Sequence, residues 1–115
     1  MIKYEIVQEG NKVKVLAVCG GDIVGFGEIL KTLECADIID VEVDLKFRGR
    51  GIGRGICERI ISDAKDCGIE IITLEVRRSN EIAQRLYQSL GFCKISERAK
   101  YYGDGEDAII MQLKC

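Results

Sequence analysis

The sequence has no histidine and no proline. Without histidine the commonest general base and metal ligand is gone, so any proton transfer must rest on a carboxylate, a tyrosine or the backbone. Six cysteines are present (Cys19, Cys35, Cys57, Cys67, Cys93, Cys115), but none forms a C-x-x-C pair. No metal is expected, and the thiols read as reduced, mostly structural groups. Proline's absence removes a common boundary marker, so element ends must be read from glycines, caps and periodicity. No apolar run approaches about eighteen residues, and Met1 to Glu5 alternates where a signal peptide would carry a long apolar block. A soluble, cytoplasmic protein with no membrane partner is the expectation. Charge of neither sign dominates: 17 basic against 19 acidic side chains leave a net −2. This argues against nucleic acid as a general partner and confines any phosphate recognition to a local site.

What is present suffices for one domain over residues 1–115, with 47% apolar content to fill one core. No repeat, linker or low-complexity segment interrupts it. Ile2, Tyr4 and Ile6 alternate with polar residues as a first strand, and Glu9 to Lys12 supply a turn. Val13–Cys19 predicts a second strand, Gly20-Gly21-Asp22 a tight turn, and Ile23–Lys31 a third strand in which Gly25 and Gly27 weaken pairing or mark a close backbone approach. The opening is thus an antiparallel meander. Thr32–Ala36 breaks the pattern, and Asp37–Leu45 resumes it as a fourth strand.

A helix of about 16 residues follows, with Ile52, Ile56, Ile60, Ile61 and Ala64 as its apolar stripe and Gly68 closing it. Ile69–Val76, almost continuously apolar, predicts a central strand covered on both faces. Together these three elements make a parallel, right-handed crossover. Ser79-Asn80 then caps a second helix with Ile82, Ala83, Leu86, Tyr87 and Leu90 as its stripe, ended by Gly91. Phe92–Arg98 and Asp107–Leu113 are the last two strands, joined through Tyr101 to Glu106.

The chemistry concentrates in Arg48-Gly49-Arg50-Gly51-Ile52-Gly53-Arg54-Gly55, at the junction of the fourth strand with the first helix. A helix N-terminus offers unpaired amides and a partial positive charge; glycines let an anion approach and arginines add donors. The spacing is not a Walker loop, since no lysine follows the glycines, nor a Rossmann turn, since Gly51, Gly53 and Gly55 are evenly spaced. An RG-rich RNA segment would be disordered, whereas this one sits between periodic elements.

Arg48-x-x-Gly51-x-Gly53 resembles the [RQ]-x-x-G-x-[GA] motif of the GCN5-related N-acetyltransferases (GNAT). The resemblance continues in order through Leu74-Glu75-Val76-Arg77, Ser79-Asn80, Ala83, Leu86-Tyr87, Gly91-Phe92, Tyr101-Tyr102 and Glu106-Asp107-Ala108-Ile109-Ile110-Met111. It covers about residues 36 to 114 and is most similar to the branch of the ribosomal-protein-alanine N-acetyltransferases. It implies an α+β fold: a mixed, mostly antiparallel sheet of about seven strands, two main helices and a splayed parallel central pair.

The resemblance further implies acetyl-coenzyme A as cosubstrate, its pyrophosphate on the backbone of Gly49, Arg50, Gly51, Ile52, Gly53 and Arg54 with the Arg48 side chain beside them. Its pantetheine arm would pair with Val41, Glu42 and Val43, and Asn80 matches a coenzyme contact. Glu75 matches the general base that an amine acceptor, mostly protonated at neutral pH, requires; Glu42 is the fallback. The alternative for Glu75 is a solvated strand-end carboxylate. Tyr87 matches the general acid for the departing thiolate; otherwise it completes the helix stripe. Tyr101 and Tyr102 match a pair beside a protein or peptide acceptor, against the alternative of a hydrophobic loop anchor.

The chain departs from the family between its first two strands, where two helices are missing and Glu9-Gly10-Asn11-Lys12 stands alone. Either the acceptor site is an open groove, or a homodimer formed through the exposed edge strand supplies the wall. An N-terminal α-amine is the favoured acceptor; a lysine or small amine, or a non-catalytic coenzyme-binding module, are the alternatives.

Overall fold

In the computed structural model, which describes residues 1–115, the alternating first third of the chain forms four antiparallel strands. These are β1 (Lys3–Glu9), β2 (Lys12–Cys19), β3 (Asp22–Thr32) and β4 (Cys35–Val43). A short 3-10 turn at Leu45–Phe47 leads to helix α1 (Ile52–Asp66), strand β5 (Ile71–Arg77), helix α2 (Glu81–Ser89) and strands β6 (Cys93–Arg98) and β7 (Ala108–Lys114). All seven strands share one sheet in the order β1-β2-β3-β4-β5-β7-β6, and only β4 and β5 run parallel. Neither helix is long and apolar enough to cross a membrane.

Both helices end alike. At α1 the Gly68 amide donates to the Lys65 carbonyl and the Ile69 amide to that of Ala64; at α2 Gly91 and Phe92 donate to Gln88 and Tyr87. Each glycine carries the positive φ that this double bond requires, and the apolar residue that follows it, Ile69 or Phe92, drops into the core. The predicted fifth strand therefore begins at Ile71, because Ile69 belongs to the helix cap.

Three further expectations are corrected. The break expected over Thr32–Ala36 is only the two-residue turn Leu33-Glu34: Leu33 adopts φ 55, and β4 starts at Cys35, opposite Thr32. The sequence hid this because a bulky residue holds a conformation usually given to glycine or asparagine. At its other end the fourth strand stops at Val43, and Leu45 enters the 3-10 turn. Finally, β5 is not covered on both faces. Ile72, Leu74 and Val76 are buried, while Ile71, Thr73, Glu75 and Arg77 are only half-buried.

That asymmetry follows from where the helices lie. Cβ atoms built on Gly25 and Gly27 would point at Ile56 and Ile60, so α1 rests on that side of β3. Register carries the same side through Val15, Ala17, Val41 and Val43. Helix α2 joins it there, with Arg54 Nη1 donating to Ser89 Oγ at 2.8 Å. The buried cluster of Val13, Val15, Ile29, Ile56, Ile60, Ile72, Leu74 and Met111 fills the space beneath. Helix α2 sits shallowly, touching this core through Ala83, Tyr87 and Leu90. Ile82, predicted for its stripe, is 82% exposed, since it falls off the seam that positions 83, 87 and 90 define.

No helix covers the opposite face, which carries Lys14, Leu16, Phe26, Glu28, Asp40 and Glu42 in register and continues through Thr73 and Glu75. The β1–β2 connection is only Gly10-Asn11.

The glycines of β3 are thus sites of close approach. A Cβ on Gly27 would lie 2.6 Å from Ile56 Cγ2 and 2.8 Å from Ile60 Cδ1. Gly27→Val, although it raises strand propensity, is expected to destabilise the protein by about 1–3 kcal/mol through overpacking. Urea unfolding checks this; an unchanged midpoint would show that α1 is not held against β3.

Candidate active site

The site begins where two strands stop pairing. β4 and β5 hold together over four residue pairs, from Cys35 with Ile71 to Ile38 with Leu74, and then part. A bulge at Ile39 accompanies the parting, because Ile29 pairs with Ile38 and Glu28 already with Asp40. The sheet therefore opens along Asp40–Val43 on one side and Glu75–Arg77 on the other. Val41 and Val43 pack against the α1 side, whereas Asp40 and Glu42 stand exposed on the uncovered face.

At the wide end of this opening lies the glycine-arginine turn. Gly49 and Gly51 both have left-handed backbones, with φ 77 and 79, which non-glycine residues adopt only with strain. Gly51 is the N-cap of α1 and provides no side-chain cap, and the first turn has no acidic residue. No backbone carbonyl accepts from the amides of residues 49 to 54; the first helical bond is Gly55 N to Gly51 O. Six successive free amides at the positive end of a 15-residue helix are a ready anion cradle.

The arginine side chains ring this cradle instead of filling it. Arg48 Nε donates to the Val43 carbonyl at 2.9 Å, Arg50 lies 5.1 Å over the Phe47 ring, and Arg54 reaches Ser89. Gly55 has a separate purpose, since a Cβ there would run into the Tyr4 hydroxyl. It seats β1 on the helix.

Tyr87 enters the opening from α2, with its ring edge-to-face on Phe92 at 5.7 Å. Burial, reinforced by the Cys57 thiol, the Asp40 carboxylate and the Tyr102 phenol, raises its pKa well above the ordinary tyrosine value. Those groups come from α1, β4 and the Tyr101–Glu106 loop, so the phenol stands where all three meet. It is protonated through neutral pH and makes no hydrogen bond within the protein. Asn80 caps α2, its Oδ1 accepting from Ala83 N at 3.1 Å, and its side-chain amide points no donor at the protein.

Glu75 is half-buried on β5 opposite Ile110, on the uncovered face. The loop after β6 folds over this end of the sheet. Tyr101 and Tyr102 stack edge-to-face at 5.1 Å, and the Arg77 guanidinium lies 4.1 Å from the Tyr102 ring centroid. Burial raises the Tyr102 phenol; Arg77 opposes the rise, and Tyr101 and Glu75 add to it. The structure thus brings Tyr87, Glu75 and Tyr102 around one opening, with Val41 to Val43 along its β4 edge and the free amides at its end. Tyr101 stays outside it, exposed and paired with Arg98 by a 5.8 Å cation–π contact.

Sequence reasoning missed Asp40, whose charge reaches Tyr87 across the opening, and Asp104 and Glu106, the two carboxylates that hold Arg77. A cavity of about 690 Å³ lies at the β1 edge around Tyr4 and Arg59 and contains none of the predicted site residues. A smaller one of about 290 Å³ is lined by Phe26, Glu42, Val43 and Arg48 at the end of β4.

A seven-strand mixed sheet parted between its two parallel strands, with a glycine turn at the parting, is the GNAT fold. The chain belongs to the acetyltransferase (GNAT) family, whose profile matches residues 3–92. The ribosomal protein bS18-alanine N-acetyltransferase of Escherichia coli (strain K12) is 38% identical over 96 residues, covering 81% of this chain and 65% of that protein. The chain spans about two thirds of the length of such curated relatives. The crystal structure of the Escherichia coli ribosomal-protein-S18-alanine N-acetyltransferase superposes with a TM-score of 0.88 at 34% identity, over 93% of this chain and 71% of that one. A putative streptothricin acetyltransferase from Bacillus anthracis str. Ames, solved with acetyl coenzyme A, gives 0.83 at 26% identity, over 95% and 65%.

The Tyr101–Glu106 loop predicts an acid response. Asp104 is held below the usual carboxylate range by the Glu106 amide and then Arg77, and Glu106 by Ser79 and then Arg77. Groups depressed in the folded state contribute order above their ordinary values, about 4, and lose it as pH falls through the lower folded ones. Amide exchange at residues 101–106 should therefore quicken below about pH 4 while the β2–β3 ladder stays protected. Unchanged exchange would show that these carboxylates do not hold the loop.

Proposed function

We propose that this protein is a cytoplasmic, acetyl-coenzyme A-dependent N-acetyltransferase, a single domain over residues 1–115, that acetylates the α-amine of a protein N-terminus. The observation that carries the proposal is the convergence on one opening of six free amides, a protonated, partly buried phenol and a half-buried carboxylate. The first suits a pyrophosphate, the second a departing thiolate, the third an incoming amine. The likeness to enzymes that modify the N-terminal alanine of ribosomal protein bS18 supports a protein N-terminus, that alanine first, as acceptor.

The residues divide the work as follows. Amides of Gly49 to Arg54 hold the pyrophosphate, with Arg48 at the rim. The free edge of Val41 to Val43 pairs with the pantetheine arm as another strand would, Asn80 binds from the opposite side, and an amide near Val43 polarises the thioester carbonyl. Glu75 takes a proton from the ammonium or attacking amine, the amine nitrogen bonds to the acetyl carbon, and the carbon–sulfur bond breaks. Tyr87 gives its proton to the departing sulfur. Tyr102, and more peripherally Tyr101, flank the acceptor where it crosses the uncovered face. That face suits an extended polypeptide, because no wall closes it.

Tyr87→Phe removes the proton and keeps the ring on Phe92. It should lower kcat by about a hundredfold or more while coenzyme affinity, read by calorimetry, stays within about twofold. A large loss of affinity would instead make Tyr87 a binding or structural residue.

The acceptor is tested by mass spectrometry of peptides incubated with the protein and acetyl-coenzyme A, in pairs with a free α-amine or with a blocked one plus lysine. Acetylation confined to free α-amines is expected. Transfer to the blocked, lysine-containing members would move the function to lysine side chains. Coenzyme binding without any transfer would leave small amines or a non-catalytic module.

A further inference from the structure

Glu75 and Arg77 project from the same face of β5, roughly 7 Å apart along the strand. A bare guanidinium so near the carboxylate that receives an amine would repel an ammonium acceptor. It is not bare. Arg77 Nη1 lies 2.7 Å from Asp104 Oδ2 and 3.0 Å from Glu106 Oε1, and two carboxylates against one guanidinium leave the trio with a net negative charge. Its face, meanwhile, stacks on Tyr102 at 4.1 Å.

The ends of the loop are fixed separately, with Lys100 N donating to Asp107 Oδ1 at 2.9 Å and Arg78 N to the Asp107 carbonyl at 3.1 Å. Residues 99 to 107 contain no helix or strand. Within it, Tyr102 N donates to the Glu106 carbonyl at 3.2 Å, Gly105 N to that of Tyr102 at 2.9 Å, and Glu106 N to Asp104 Oδ1 at 3.0 Å. These bonds close the loop on itself but do not fix it to the sheet. The ties to the sheet around Tyr102 are Arg77 and Glu106, whose second oxygen accepts from Ser79 N at 2.9 Å, one residue before the Asn80 cap.

We propose that Arg77 is a positioning residue for the acceptor, holding Tyr102 over the opening beside Glu75 while its charge is cancelled by Asp104 and Glu106. The proposal rests on the acetyltransferase function and assigns the loop its anchor. Lysine could supply the charge, but not a flat group that stacks on a ring and meets two carboxylates at once.

The test is a double-mutant cycle on transfer to an α-amine peptide, with Arg77→Gln and Arg77→Lys made alone and in a Tyr102→Ala background. Arg77→Gln alone should raise the acceptor KM about tenfold, with coenzyme affinity unchanged, and in the Tyr102→Ala background by less than about twofold. Arg77→Lys should fall between parent and Arg77→Gln. Equal factors in both backgrounds, or a matching loss of coenzyme affinity, would overturn the proposal. A second arm needs no turnover: amide exchange at residues 101–106 should quicken at least about tenfold in Arg77→Gln and leave the β2–β3 ladder unchanged. Parental exchange in that variant would overturn the proposal. Failure of the parent to acetylate any acceptor would count against the acetyltransferase function instead, leaving the exchange arm to decide the role of Arg77.

Discussion

Everything in this molecule depends on the refusal of β4 and β5 to stay paired. A parallel pair in the interior of a sheet normally continues its ladder, since an unmade backbone bond in a closed interior costs about 1–3 kcal/mol. Here the ladder ends after Ile38 and Leu74, and the bulge at Ile39 turns β4 away just there. Three contacts keep the diverging strand in place. β3 continues to pair with it as far as Val43, the Asp44 amide donates to the Val24 carbonyl at 2.8 Å, and Arg48 donates to the Val43 carbonyl. A gap held open by bonds on its outer side leaves an inner edge available to an extended partner.

The same geometry explains the glycines. Helix α1 must start at the wide end of the gap and run back along β3, and it can do so at short range only because Gly25 and Gly27 have no side chains. Its first turn must present amides outward, which the left-handed Gly49 and Gly51 permit. Gly55 serves the neighbouring strand, making room for Tyr4, whose ring also lies 5.5 Å beneath Arg59. A stretch that looks uniform in sequence thus divides into a turn, a helix cap and a packing notch. Glycines chosen for one chemical purpose would not have separated in this way.

How far all this was legible varies with the physics. Local signals sufficed where a residue's role is fixed by its neighbours in sequence. Asn80 as a cap, Gly68 and Gly91 as helix stops, and the α1 stripe are of this kind. The seven-strand mixed sheet was reached through the order of motif blocks, because a strand's partner is not written in the strand. Local signals failed at Leu33, where tertiary pairing imposes a turn that no glycine announces, and at Ile82, where helical spacing alone cannot say which side faces the core. They failed again at Ile69–Val76. An apolar, β-branched run looks the same whether one or both faces are covered, and only the position of α2 decides. The partners of Arg48, Arg50 and Arg54, namely Val43, Phe47 and Ser89, lie in other elements and could not be read from the glycine-arginine stretch.

An uncovered sheet face is a liability unless its surface is managed, and here the management bears on function. Apolar Leu16 and Phe26 are interleaved with Lys14, Glu28, Asp40 and Glu42, with Lys14 lying 5.4 Å over the Phe26 ring and Lys12 paired to Glu28 at 3.4 Å. Charge of both signs discourages another sheet from stacking on this face, as charges on exposed strands generally do. Towards β4 and β5 the balance changes. Asp40, Glu42 and Glu75 take part in no salt bridge; on the β5 side Arg77 is engaged by Asp104 and Glu106, and at the end of β4 Arg48, which lines a cavity with Glu42, turns its Nε to the Val43 carbonyl. The face therefore grades from a neutral, self-screened surface over β2 and β3 to a negative one at the parting of the strands. An ammonium diffusing onto it gains electrostatic energy only as it nears the opening, and the gain is largest where the solvent screen is thinnest, beside the half-buried Glu75. The missing cover and the charge gradient are in this sense one feature. For the protein N-terminus proposed as acceptor, a wall of helices would hide the face, and without the gradient an open face would have no means of directing it.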